Sequence, residues 1–135
     1  MAGSAVYRIG GPEAWRSPEG ARELLGRARS SLALARTTGH GVMVEDLCGL
    51  ARQTVERAVQ AVLIAEDVPE PADRSIGGML SALAGAGVPV PDRLGRAANL
   101  FPGETPGEPV RIEKYYEAVL VATEAVRFAE SRIRG

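Results

Sequence analysis

Few residues in this chain can do chemistry. His40 is the single histidine, set between Gly39 and Gly41, and Cys48 is the single cysteine. An imidazole can shuttle a proton or ligate a metal, but a metal site draws several ligands to one point, and nothing near His40 supplies them. It reads as a surface-loop residue. Cys48 falls on an apolar stripe with no base within a helical turn to activate it, and reads as a small core residue. A denser constellation is Gln53, Glu56, Arg57 and Gln60, spaced three and four apart as neighbours on a helix are. A glutamate inside a bundle needs a cation or donor beside it. This strip is therefore a network that fixes helix register, a solvated face, or a site that orients a nucleotide or a partner. Arg74 joins these four as a candidate for that binding role. Glu113 and Glu117 share a face and Glu124 follows; paired carboxylates bind Mg²⁺, yet Lys114 is interleaved and no aspartate cluster accompanies them, so an exposed charged face is expected. Arg127, Arg132 and Arg134 suit the negative end of a helix dipole; one short cluster says little about RNA. Gly85-Ala86-Gly87 opens no long helix and is no phosphate loop. No catalytic residue, metal or cofactor is assigned.

The elements that must position these residues are helical. The chain has 135 residues, enough for one domain with its own core. Hydrophobic residues make up 45% and aromatics only 4%, so aliphatics and alanine fill the interior. A net charge of −1 gives no global drive towards nucleic acid or anionic lipid. One cysteine excludes an internal disulfide. No apolar run reaches the roughly 18–20 residues of a membrane span, and the N-terminus lacks an apolar signal core; the expectation is a cytoplasmic protein with no membrane partner.

Residues 1–16 read as an irregular arm that Val6, Tyr7, Ile9 and Trp15 tie down, and residues 17–135 as the helical domain. Ser17, Pro18 and Glu19 form a helix start, followed by an apolar stripe of Ala21, Leu24, Leu25, Ala28, Leu32 and Ala35. The helix stops near residues 37–41. A second runs from about Met43 to Glu66 with two stripes, one through Val44, Leu47, Cys48, Ala51, Val55, Ala58, Val59 and Val62, the other through Met43, Leu50, Ala61 and Ile64. Pro69 and Pro71 end it. Asp73 is expected to cap a short third helix through Ile76, Met79, Leu80 and Leu83, weakened by Gly77 and Gly78 unless a close contact uses them. A short fourth starts at Pro91 or Asp92 and covers Leu94, Ala97 and Ala98. Residues 101–109 read as a loop. The last helix runs from about Val110 to Arg134, its main stripe Ile112, Tyr115, Tyr116, Val119, Ala122, Val126, Ala129 and Ile133, with Ala118, Val121, Ala125 and Phe128 beside it. The expected fold is all-α, an antiparallel up-and-down bundle of three long and two short helices. Two long helices with broad apolar faces are either both buried in one bundle or shared with a second copy; a homodimer is expected.

The second helix carries a resemblance. The run Gln53-Thr54-Val55-Glu56-Arg57-Ala58-Val59-Gln60-Ala61 resembles the signature helix of the HEPN family, roughly Q-A-A-E-K-A-L-K-A, matching at Gln53, Glu56, Ala58 and Ala61. Trp15, Ala21, Leu24, Leu25 and Ala28 are similar to that family's first helix. Ile76, Met79, Leu80 and Leu83 resemble its H-D-L-x-x-L-L segment, and Tyr115–Ile133 its last helix. The resemblance implies a helical bundle, frequently dimeric, and partnership with a minimal nucleotidyltransferase in toxin–antitoxin-like modules. Other members are metal-independent ribonucleases, whose histidine works as general acid or base while an arginine ahead of it, with four to six residues between the two, stabilises the phosphorane-like charge. Here Arg36 and His40 have only three residues between them and lie between the first two helices, away from where that motif belongs. Where other members carry Arg-Tyr-Pro, this chain has Leu100-Phe101-Pro102, and Arg74 stands where H-D-L has its histidine. The expected function is a non-catalytic partner or regulatory protein. The alternative is a nucleotide-binding protein or ribonuclease with a non-standard residue set.

Overall fold

Ser17 sits in extended backbone, and its Oγ accepts a hydrogen bond from the Gly20 N–H at 3.0 Å, starting helix α1 (Pro18–Ala35) as the sequence predicts. This is a computed structural model, and it describes residues 16–37, 43–100 and 111–133, leaving aside the side chains of Ala98 and Asn99. Residues 1–15 of the expected N-terminal arm, residues 38–42 around His40, the 101–109 loop and Arg134 lie outside the described residues. Helix α2 (Val44–Ala65) follows, then α3 (Ile76–Gly85), two four-residue turns α4 (Asp92–Gly95) and α5 (Ala97–Leu100), and the long α6 (Ile112–Arg132). The expected fourth helix is thus broken at Arg96. No strand occurs among the described residues, and no helix there is long and apolar enough to cross a membrane.

α2 and α3 stop by the same device. At the end of α2, the Val68 N–H reaches the Leu63 carbonyl at 2.9 Å and the Asp67 N–H reaches that of Ile64 at 3.1 Å. At the end of α3, Val88 N–H bonds to Leu83 at 3.0 Å and Gly87 N–H to Ala84 at 3.0 Å. This pattern needs a left-handed residue just past the helix, supplied by Asp67 (φ 55) and Gly87 (φ 84), and a buried apolar residue after it, supplied by Val68 and Val88.

The start of α3 departs from expectation. Ser75, not Asp73, is the cap: its Oγ accepts from the Gly78 N–H at 3.1 Å. Asp73 instead accepts from the Ser75 N–H at 3.0 Å, and its bonds from the Ser75 hydroxyl and N–H hold its carboxyl below the usual range. This turn folds the Asp73 backbone over Gly78, so a Cβ there would collide with the Asp73 carbonyl and lie 2.6 Å from its Cγ. A helical Gly→Ala change normally gains about 1 kcal/mol. Gly49→Ala in α2, where nothing lies within 4 Å of the added methyl, is expected to show that gain in urea unfolding. Gly78→Ala is expected to lose stability, and equal stabilisation by the two would refute the close approach.

Three long helices set the architecture. Arg16 at the start of α1 donates to the Val68 carbonyl beyond the end of α2 at 2.8 Å, so the two helices run antiparallel. Arg29 meets Glu130 at 2.8 Å, and the Tyr115 hydroxyl donates to the Ala35 carbonyl at 2.8 Å, so α6 is antiparallel to α1 as well. α2 and α6 therefore run side by side in one direction, joined at their ends by Arg132 and Glu66 at 2.8 Å. The chain between them must travel back the length of the bundle, and α3, α4 and α5 lie along that return leg.

α2 is the centre, packed against α1, α3 and α6. Of its second stripe, Ala61 is buried, Leu50 and Ile64 are half-buried and Met43 is exposed, so most of the apolar surface is consumed within one bundle. In α6 the core takes Tyr115, Ala122, Val126 and Ala129 of the expected stripe together with Ala118, Val121, Ala125 and Phe128 beside it, whereas Ile112 and Tyr116 of that stripe are exposed.

Candidate interaction surface

The polar strip of α2 lies on the outer side of the central helix. Gln53 is exposed, while Glu56, Arg57 and Gln60 are half-buried. Arg57 Nη1 lies 3.5 Å from the Ser31 Oγ of α1, a long contact. Ser31 already donates to the Arg27 carbonyl at 2.9 Å. Among the described residues no hydrogen bond or ion pair joins Gln53, Glu56, Arg57 and Gln60 to one another, so the strip is a row on a helix surface. Arg74 does not join it. That residue is exposed on the connection into α3 and pairs with Glu70 at 2.9 Å.

The other candidates resolve individually. Cys48 is buried in the core cluster. Burial pushes its thiol above the ordinary value, with Glu45 adding to the shift and Lys114 working against it. A protonated, covered thiol is a poor nucleophile. A disulfide reagent at pH 8 is therefore expected to label Cys48 at least about tenfold more slowly in the native protein than in urea; equal rates would show that the site is open. Tyr115, beside it, is also pushed up, chiefly by burial, then by Tyr116 and Cys48. Glu113 and Glu117 are exposed as expected, Glu124 is half-buried, and Glu113 lies 3.6 Å from Arg111. Arg132 spends its charge on Glu66, whose hydrogen bond raises its pKa, while Arg127 is exposed. No cluster of three or more metal-ligating side chains occurs among the described residues.

A surface that sequence reasoning missed lies along α6. Ile112, Tyr116 and Leu120, four residues apart, form one row and are 45%, 61% and 54% exposed. On the α1 side of this row, Arg36 donates to the Thr123 Oγ1 at 3.0 Å. On the other side runs a carboxylate row of Glu113, Glu117 and Glu124, and Arg127 continues the line beyond Leu120. Crossing from α1 to α6, the surface goes from arginine to apolar to acidic. The signal was present as the four-residue spacing of Ile112, Tyr116 and Leu120, but the wide apolar face of α6 did not reveal which of its rows the bundle covers.

No family model matches the chain, and no curated protein or solved structure matches it either.

Proposed function

We propose that this protein is a HEPN-like partner or regulatory protein that acts by docking on another macromolecule, as a component of a nucleotidyltransferase-associated module of toxin–antitoxin type. The observation that carries the docking reading is the exposed Ile112–Tyr116–Leu120 row on a helix whose opposite face is core. Aromatic and large aliphatic side chains set among charges are the composition of a docking surface. The α2 helix with its HEPN-like run, central in an all-α bundle, supports the family component.

The test co-expresses the tagged chain with a minimal nucleotidyltransferase and reads co-elution on size exclusion, alongside incubation with total RNA and ATP. Stoichiometric co-elution, with RNA intact and no ATP bound, is the expected result. RNA cleavage or ATP binding that disappears in Arg57→Ala would replace the docking reading with the nucleotide-handling one.

A further inference from the structure

The charges beside the Ile112–Tyr116–Leu120 row are unevenly placed, and their imbalance describes what can lie on it. Glu113 and Glu117 are exposed near the start of α6. Among the described residues Glu117 has no cationic partner, and Glu113 has only Arg111 at 3.6 Å. The opposite corner is basic. Arg127 is exposed beyond Leu120 and has no carboxylate partner among the described residues. Arg36 reaches the same stretch of α6 from α1, and its partner there is the neutral Thr123 hydroxyl at 3.0 Å. The carboxylate on the α1 side, Glu130, is already held by Arg29 at 2.8 Å. Glu124 is half-buried on the side away from α1. The surface thus runs from an acidic end at Glu113 to a basic end at Arg127, about 21 Å of helix apart.

A helix is the backbone form that fits this surface. No strand edge exists among the described residues for an extended peptide to join. An extended segment lying on a helix would leave its own N–H and C=O groups without partners. A helix satisfies those groups internally, and its apolar stripe matches a row of residues four apart. Charge then sets its direction. Helices favour acidic residues in the first turn and basic residues in the last, where each opposes the dipole. Such a helix sets acid on Arg36 and Arg127 and base on Glu113 and Glu117 only when it runs antiparallel to α6. Parallel packing would set acid on acid and base on base.

We infer that the row receives one amphipathic helix of a partner protein, about four turns long and antiparallel to α6. Its acidic first turn lies against Arg36 and Arg127, and its basic last turn against Glu113 and Glu117. This rests on the docking reading and names the element that the partner brings.

The experiment is a selection at low salt, where exposed charges are least screened, from a displayed library of helical peptides of about 16 residues. Every peptide carries a fixed leucine stripe at helical spacing, with Asp, Glu, Lys or Arg at the flanking positions of its first and last turns. The wild-type chain is expected to enrich peptides with acid first and base last, which bind Leu120→Arg at least about tenfold more weakly. The variant R36E/E113R/E117R/R127E reverses four exposed charges; it is expected to keep its helical circular dichroism and to select the inverted order. Enrichment without charge order, the same order on the reversed variant, or no enrichment over Leu120→Arg would each overturn the antiparallel helix. So would a wild-type chain that dimerises through the row at the selection concentration, because a second copy would then be the occupant. Nucleotidyltransferase co-elution is read separately. Co-elution that is lost in Leu120→Arg, beside a selection without charge order, would leave the docking reading standing and the helix refuted. An ordered selection without co-elution would keep the helix and remove the nucleotidyltransferase as its source.

Discussion

Leu94→Ala is expected to lower the unfolding free energy by about 2–5 kcal/mol and to remove hydrogen-exchange protection selectively from α4 and α5. Leu94 is 0% exposed, yet it belongs to a helix of only four residues. A helix that short has no stability of its own, because nucleation costs more than its few hydrogen bonds return. The turn is helical only because Leu94 and Ala97 are docked in the core cluster with α6. Truncating the leucine removes transfer free energy and leaves a void, and it also releases the return leg that connects the end of α3 to the start of α6. Amide exchange at Leu94 and Leu100, whose N–H groups bond to Pro91 and Arg96 at 3.0 Å, reports the local loss, and urea unfolding reports the global one. As a control, Leu34→Ala on the outside of α1 is expected to change stability by less than about 0.5 kcal/mol. If Leu94→Ala costs no more than Leu34→Ala, the return leg is not anchored by this side chain.

The long helices were legible because each carries a helical apolar periodicity, with a local start signal at α1 and a local stop after α2. Ser17-Pro18-Glu19 at α1 and the proline pair after α2 are local signals acting within one turn, and the structure follows them. Asp73 and Ser75 show where local signals run out. Both residue types cap helices, they lie two apart, and the choice falls to Ser75 because Asp73 is taken up by the turn ahead of it. The split of the fourth helix at Arg96 has no sequence signal comparable to a proline. Its two turns are held by tertiary docking, which no window of the sequence contains.

The surface was less legible than the core. Gln53, Glu56, Arg57 and Gln60 were singled out as a unit because helical spacing puts them on neighbouring positions, and that spacing is real. Spacing alone does not say whether a strip faces a neighbour or water, and here Gln53 faces water while Glu56, Arg57 and Gln60 are half-buried, Arg57 beside Ser31 of α1. Arg74 was grouped with them through a family pattern, whereas in space it belongs to Glu70. The exposed row of α6 was hidden in the opposite way. Ile112 and Tyr116 are apolar, so they were assigned to the core stripe, and Leu120 was passed over, although the bundle covers only the adjacent rows.

Ala58→Leu is expected to cost about 1–3 kcal/mol or more, although leucine and alanine have nearly equal helix propensity. α1 presents Ala21, Ala28 and Ala35, and α2 presents Ala51 and Ala58, at seven-residue intervals, every one of them at most 1% exposed. A seven-residue interval keeps each alanine on the same line of its helix, so both helices carry a row of methyl groups, and the α1–α2 contact is the most extensive in the bundle. Such rows let two antiparallel helices approach towards the ~8 Å end of the usual interaxial range. The backbones then define the gap, and no flexible side chain can fold away to admit three more carbons. Leucine at position 58 must therefore force the helices apart along their length, disturbing other alanine contacts as well as its own. Ala33→Leu, on the exposed side of α1, adds the same carbons and is expected to be neutral within about 0.5 kcal/mol. Comparing the two by urea unfolding isolates the seam. If Ala58→Leu is as harmless as Ala33→Leu, the helices have slack between them, and the seven-residue alanine spacing is a feature of composition alone.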